Sequence, residues 1–134
     1  MTTFRTESVR LATSLHKAFE YIAAPRNLPH WTHAFKKVAD GKAIMETPAG
    51  AVEVDLKVKA APTEGTIDWC MTFPDGTVAS AFSRLVPEDK NHCIYSFILL
   101  APPVPLERLE GALNEQANIL REELTKLGTI LSQF

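Results

Sequence analysis

The sequence predicts an α+β fold in which an antiparallel sheet curves around one long C-terminal helix. A strand-like segment, Phe4–Leu11, leads into a short amphipathic helix, Leu15–Ala23. Strand-like runs joined by turn signals fill the middle of the chain, and a leucine stripe at helical spacing runs from Leu106 to Phe134. A sheet and a helix in this order can enclose a hollow, so binding of a small apolar molecule is the leading functional hypothesis.

Length and charge narrow the classes of function. At 134 residues the chain is most simply one domain, 1–134, and its formal net charge of −2 gives no reason to expect nucleic acid as a partner. No stretch reaches the roughly 18 apolar residues of a membrane span, and charged residues interrupt the apolar region that a signal peptide would need. We therefore expect a cytoplasmic protein with reduced Cys70 and Cys93, and with no cofactor.

The first helix has clear start and stop signals. Its apolar residues fall at i, i+3, i+4 and i+7 from Leu15, which is one helical face. Thr13 or Ser14 can cap the first free amides, and Pro25 ends the helix because it disfavours helical backbone at the residue before it. Residues Asn27–His33 predict a second short turn of helix.

Two central segments, 52–59 and 66–73, alternate apolar and polar residues, which is typical of half-buried strands. The Asp-Gly pair at 75–76 predicts a β-hairpin. A two-residue loop would place Trp69 opposite Phe82, and we favour this register because it pairs two aromatic side chains. A three-residue loop with a bulge would instead reverse the faces of the second strand.

The turn at 88–91 then sets the position of the next strand. If its loop is also even, Tyr95 and Phe97 lie beside Arg84 and Phe82. The predicted inner face is rich in aromatic residues and holds one cation; its members are Trp69, Met71, Phe82, Arg84, Tyr95 and Phe97. Such walls suit flat or flexible apolar ligands. The inward face of strands 77–86 and 92–100 depends on both loops, so the sequence leaves it open.

The terminal helix follows from apolar residues that step by threes and fours: Leu106, Leu109, Leu113, Ala117, Leu120, Leu124, Leu127 and Leu131. Prolines at 102, 103 and 105 precede it, where a missing amide hydrogen costs least. We expect a helix from Leu106 to Ser132 that faces the sheet through Leu113, Leu120 and Leu124. The same stripe would serve a homodimer, which is the alternative use of this helix.

The segment Ser14–Ala23, followed by Pro25-Arg26-Asn27-Leu28-Pro29-His30-Trp31, resembles the amphipathic helix and the tryptophan-containing turn of the START-like, or SRPBCC, helix-grip superfamily. The later strands and the terminal helix agree with it in order and length, over nearly the whole chain. The resemblance implies a sheet of about seven strands with two short helices after the first strand. The superfamily includes polyketide cyclases and aromatases, plant hormone-binding proteins and lipid-transfer domains, so the resemblance implies the fold more than the function.

Each polar candidate for ligand binding has a plainer alternative role. Arg84, a lone cation on an apolar strand face, would meet a ligand carboxylate or enolate; otherwise it reaches water or pairs with Glu110 or Glu123. Trp31 either lines the mouth of the cavity or fills the core behind the first helix. Tyr95 either donates a hydrogen bond to the ligand or is an ordinary packed tyrosine.

The sequence offers few signs of catalysis. His30 and His33 are spaced to share a metal, but no third ligand follows at a recognisable spacing, so we expect no metal site. There is no nucleophile elbow, phosphate loop or dinucleotide fingerprint. Three functions remain: a small-molecule binding domain, which we favour, a polyketide cyclase/dehydratase-like enzyme, and a protein-interaction module. The ligand, and whether it is transformed, cannot be read from the sequence.

Overall fold

The computed structural model describes residues 4–47, 50–100 and 106–133; at Thr47 and in 106–113 it describes the backbone alone. In chain order the elements are β1 (Phe4–Leu11), α1 (Leu15–Ala23), a 3-10 helical turn (Pro25–Asn27), α2 (Leu28–Trp31), β2 (Phe35–Ala39), β3 (Lys42–Thr47), β4 (Gly50–Ala61), β5 (Thr66–Thr72), β6 (Val78–Asp89), β7 (His92–Leu100) and α3 (Leu106–Leu131). The prolines at 102, 103 and 105 and the side chain of Leu113 lie outside the described residues.

The seven strands form one sheet in the order β1-β7-β6-β5-β4-β3-β2. Every neighbouring pair in this order is antiparallel. The first and last strands of the chain are therefore neighbours, and α3 packs along β1. The predicted helix-grip architecture, with two short helices after the first strand, is confirmed.

Local sequence signals explain α1 and the turn that follows it. Ser14 Oγ accepts a hydrogen bond from the Lys17 amide at 3.3 Å, so Ser14 is the cap of the two candidates. The helix ends two residues before Pro25, and Ala18 and Ile22 on its apolar face are buried. The short helix predicted around 27–33 is present as the 3-10 turn and α2.

The leucine stripe of α3 faces the sheet. Its inward residues are at most 4% exposed over the part whose side chains are described: Ala117, Leu120, Leu124, Leu127 and Leu131. A methyl group on Gly128 would touch Leu11 and Val9, so helix and strand approach closely there. The predicted terminal helix is confirmed. No helix in the described ranges is long and apolar enough to span a membrane.

The loop between β5 and β6 differs from the favoured prediction. A hydrogen bond of 2.8 Å from the Phe73 amide to the Thr77 carbonyl closes a three-residue loop, whose last residue is a glycine with a φ of +89°. Trp69 therefore lies opposite Ala81, not Phe82. The favoured register is wrong by one residue, and every side chain of β6 faces the other way because side chains alternate along a strand.

β6 is irregular between Pro87 and Asp89, just before the turn to β7, and this irregularity shifts the pairing of β6 with β7 as well. Tyr95 pairs with Leu85, and Phe97 with Ser83, rather than with the predicted arginine and phenylalanine. This second shift cancels the first one along β7. Tyr95 and Phe97 therefore lie on the inner face as expected, whereas the face of β6 is reversed.

Candidate ligand-binding site

The inner face of β6 carries a row of small side chains. Ala79, Ala81 and Ser83 alternate with the exposed residues of the outer face. We call these three residues the small-residue row. Because they add only a methyl or hydroxymethyl group to the sheet, they fill less of the space beneath α3 than the phenylalanine and arginine predicted there.

Larger side chains flank the small-residue row on both sides. On β5, Trp69 and Met71 lie opposite its two alanines. On β7, Phe97 lies opposite its serine, and the Phe97 ring meets that of Tyr95 edge-on with 6.4 Å between centroids. The structure thus brings four of the six predicted inner-face residues to one place.

α3 passes this region with a small residue of its own. Arg5 donates to Asn114 Oδ1 at 2.6 Å, and Arg121 lies 2.9 Å from a carboxylate oxygen of Glu7. Because β1 pairs with β7 at these positions, the same part of the helix lies at the level of the row. Ala117, between the two contacts, is fully buried.

Buried polar atoms without a partner lie in the same region. Of the described residues, three have a buried side-chain donor that makes no hydrogen bond: Nε1 of Trp31, Nε1 of Trp69 and the hydroxyl of Tyr95. Trp69 is 5% exposed and Tyr95 is 0% exposed. Since buried polar groups are paired in the great majority of cases, the two donors on β5 and β7 need an explanation.

The Tyr95 hydroxyl lies beside the small-residue row. Ser83 and the Trp69 indole are close enough to lower its pKa, but neither completes a hydrogen bond with it. Burial outweighs both and raises the pKa of Tyr95 well above its ordinary value. Ser83 donates its own proton to the Ile67 carbonyl at 2.6 Å. At neutral pH Tyr95 is therefore protonated and able to donate.

Among the described residues, Glu123 is the acidic residue whose charge acts on Tyr95. Burial raises the pKa of Glu123, against a hydrogen bond of 2.7 Å from the His33 amide that lowers it. Its charge in turn raises the pKa of Tyr95. In the sequence, Glu123 stood out only as a candidate partner for an arginine. Its spacing is the missed signal, because it lies three residues after Leu120 and four before Leu127.

Arg84 and Phe82 lie on the outer face of the sheet, so the placement predicted for them is wrong. Arg84 is exposed, and its Nε donates to the Glu64 carbonyl at 3.2 Å. Phe82 is 39% exposed and lies opposite Ile98. The physical reason is the three-residue loop before β6, which turns both side chains away from α3.

Exposed apolar side chains gather on that outer face, across β1, β7 and β6. Phe4 pairs with Leu100, and Ile98 pairs with Phe82. These four residues, which we call the outer apolar patch, are between 39% and 55% exposed. Such a patch is typical of a contact surface.

Trp31 and the surface hollows bear on the predicted cavity. Trp31 is 2% exposed and belongs to the hydrophobic core, which is the plainer of its two predicted places, and not to an exposed mouth.

An open hollow of about 230 Å³ lies along the seam between β1 and α3, at Glu7 and Arg121, and one of about 210 Å³ lies against α1. Neither is lined by the small-residue row, so the cavity beneath α3 stays a prediction.

Neither His30 nor His33 belongs to the one group of potential metal ligands found among the described residues. His33 lies 3.6 Å from a carboxylate oxygen of Glu122. The cluster consists of Glu88, Asp89 and His92 at the far end of β6, where Asp89 and His92 pair at 2.8 Å. The expectation of no bound metal stays a prediction.

No protein-family model matches the sequence, and no curated protein matches it. Solved structures do match. A START superfamily protein from Mycobacterium smegmatis superposes with a TM-score of 0.68 at 14% identity, over 98% of this chain and 99% of the other. The chain has the START-like fold.

The matching structures also include aromatase/cyclases. The Zhui aromatase/cyclase from a Streptomyces species has a TM-score of 0.62 at 12% identity, over 97% of this chain and 92% of the other. The di-domain aromatase/cyclase BexL has a TM-score of 0.66 at 11% identity, over 96% of this chain and 46% of the other. Identities this low establish the shared fold and leave the function to the residues of this chain.

Proposed function

We propose that the protein binds a small apolar or aromatic molecule between the inner face of the sheet and α3, at the small-residue row. The observation that carries the proposal is the position of Ala79, Ala81 and Ser83 on the inner face of β6, between the larger side chains of β5 and β7. Ligand sites are mostly apolar with a few polar groups, and the unpaired donors of Trp69 and Tyr95 supply those groups. The START-like aromatase/cyclases among the similar structures support the same choice of ligand class.

The test fills the proposed site from the sheet side. Ala81→Leu adds a branched side chain at the centre of the small-residue row, so it should abolish saturable quenching of tryptophan emission by a neutral naphthalene probe. Ser80→Leu adds the same side chain at the adjacent exposed position on the outer face and is the matched control. Trp69→Phe should remove most of the signal. Equal binding by the two leucine variants would sink the proposal.

A cyclase-like or dehydratase-like enzyme is the alternative, and Glu123 is the residue that favours it. Burial raises the pKa of this carboxyl above that of an ordinary glutamate, and catalytic acids and bases commonly have pKa values shifted in this way. Tyr95 would hold a substrate oxygen rather than act as a base, because its pKa is raised. Turnover of a poly-ketone substrate that is lost in Glu123→Gln, with binding retained, would establish this alternative.

A protein-interaction module is the third candidate, and the outer apolar patch favours it. A homodimer through this patch would cover Phe82 and Ile98 together. Sedimentation across a wide range of protein concentration tests it, with Phe82→Gln as the variant that should dissociate the dimer. A monomer at all concentrations would eliminate the homodimer. The cytoplasmic location expected from the sequence is a further proposal, and cell fractionation tests it.

A further inference from the structure

We propose that the ligand is a neutral molecule with one oxygen acceptor, which takes hydrogen bonds from the Tyr95 hydroxyl and the Trp69 indole beside Ser83. This inference rests on the proposed binding function and adds the polar group that the site selects.

The first step is the number of free donors. The indole nitrogen of Trp69 can only donate, and the Tyr95 hydroxyl needs an acceptor for its proton. Both atoms are buried, and neither has a partner among the described residues. The Ser83 hydroxyl donates its proton to the Ile67 carbonyl and completes no hydrogen bond with Tyr95.

The second step is convergence. Trp69 pairs with Ala81 and Tyr95 pairs with Leu85, so Ser83 lies between these two positions on the inner face of β6. Both Ser83 and Trp69 act on the Tyr95 hydroxyl, so the two donors lie near one another at this end of the small-residue row. A carbonyl or hydroxyl oxygen has two lone pairs and can accept from both donors at once. A ligand with an apolar body over the two alanines and an oxygen at this end would satisfy both groups.

The third step is charge. The predicted cation, Arg84, lies on the outer face and cannot meet a ligand on the inner face. Among the described residues, the charged group that acts on Tyr95 is Glu123. An anionic ligand would give up its hydration without gaining a cation, and would lie near a carboxyl group. The site therefore favours a ketone, aldehyde or alcohol over an acid, the reverse of what an inward Arg84 would select.

Three probes with the same outline separate these effects. Acetylnaphthalene carries the neutral oxygen, isopropenylnaphthalene replaces that oxygen by a carbon, and naphthoate carries the charge. We expect acetylnaphthalene to bind about tenfold more tightly than isopropenylnaphthalene, as one or two buried hydrogen bonds allow, and naphthoate to bind most weakly. Calorimetric titration of the wild-type protein gives the three affinities.

The indole signals provide an independent readout. The chain has two tryptophans, so nitrogen–proton correlation spectra show two indole N–H peaks, and Trp31→Phe assigns them. Acetylnaphthalene should move the Trp69 indole proton in the direction of a stronger hydrogen bond. Isopropenylnaphthalene should not.

Tyr95→Phe separates a ligand contact from a structural role. Removing a hydroxyl that has no partner should leave the stability of the free protein unchanged or increase it, whereas removing a bonded hydroxyl would lower it. The variant should bind acetylnaphthalene about tenfold more weakly and isopropenylnaphthalene as the wild type does. Arg84→Gln on the outer face is the control, and it should alter neither affinity.

The outcomes distinguish the two proposals. If none of the three probes binds saturably, the proposed binding function fails, and this inference fails with it. If the probes bind with equal affinity, or if naphthoate binds most tightly, the binding function stands and the inference is overturned. A loss of stability in Tyr95→Phe without a change in probe selectivity would also overturn it.

Discussion

Gly65 lies where the turn before β5 closely approaches the backbone of β6. It lies buried before β5 with a φ of +78°, and its carbonyl accepts from the Leu85 amide at 2.8 Å. A Cβ at this position would collide with the Leu85 carbonyl oxygen. The residue therefore meets two demands that glycine alone satisfies, a left-handed backbone and a close approach of two strands.

Gly65→Ala should lower the free energy of unfolding by at least ~2 kcal/mol, because left-handed strain of roughly 1–2 kcal/mol adds to the collision. Gly76→Ala is the control, since Gly76 has a φ of +89° but open space around its Cβ position. Chemical denaturation measures both variants. Equal losses of stability in the two variants would show that the close approach to Leu85 adds no cost to an alanine at position 65.

Glu123 makes stability depend on pH. Burial raises its folded-state pKa above the ordinary 4.5, so between these two pKa values the folded protein binds more protons than the unfolded chain does. The free energy of unfolding should therefore fall as the pH rises from about 4.5 through the raised pKa. The groups that act on this carboxyl are His33 and the neighbouring Glu122.

Glu123→Gln should remove that trend, so the variant gains stability relative to the wild type as the pH rises. Urea unfolding from about pH 4 to about pH 8 measures the difference. Glu122→Gln, at the exposed neighbouring position, is the control and should keep most of the wild-type dependence of stability on pH. A constant difference between Glu123→Gln and the wild type would contradict a raised pKa for Glu123.

The histidine pair carries a separate prediction at the same scale. We expect no stoichiometric metal after dialysis without chelator, because His30 and His33 lack a third ligand at a recognisable spacing. Elemental analysis of the purified protein tests this. Stoichiometric zinc that disappears in the His30→Ala, His33→Ala double variant would refute it.

At the scale of elements, α3 packs along β1 through a stripe of buried side chains. Leu120 is 4% exposed within its buried stripe, so Leu120→Ala should lower the free energy of unfolding by roughly 2–5 kcal/mol. Gln116→Ala, at an exposed position of the same helix, should stay within about 0.5 kcal/mol of the wild type. A loss well under ~1 kcal/mol for Leu120→Ala, from denaturant midpoints, would remove Leu120 from the core.

The elements themselves were predictable, because each follows from a short-range pattern. Alternation marks β5, the serine cap and Pro25 delimit α1, and leucine spacing marks α3. The register of β6 was not predictable, since two- and three-residue loops both fit the Asp-Gly signal at 75–76 and differ by one residue. That single residue decides whether Phe82 and Arg84 face α3 or solvent.

The site was predictable in part for the same reason. Trp69 and Met71 belong to a strand whose alternation of apolar and polar residues fixes their face. The prediction for Tyr95 and Phe97 was right only because its two register errors cancelled. Glu123 was missed because one polar residue inside an apolar stripe does not reveal whether it is buried.

The whole molecule is one seven-stranded sheet with α3 packed on its inner face and the outer apolar patch on its other face. The two faces of β6 differ in the side chains that an apolar ligand would meet. Small residues line the inner face, and large exposed apolar residues lie on the outer face. Binding in the interior and binding on the outer apolar patch are therefore distinguishable by position alone.

A crystal structure of the protein with acetylnaphthalene tests the proposed interior site most directly. We expect the naphthalene rings over Ala79 and Ala81 beneath α3, with the ketone oxygen within hydrogen-bond distance of the Tyr95 hydroxyl. Rings stacked on Phe82 and Ile98, or an interior packed solidly from the small-residue row to α3, would contradict it.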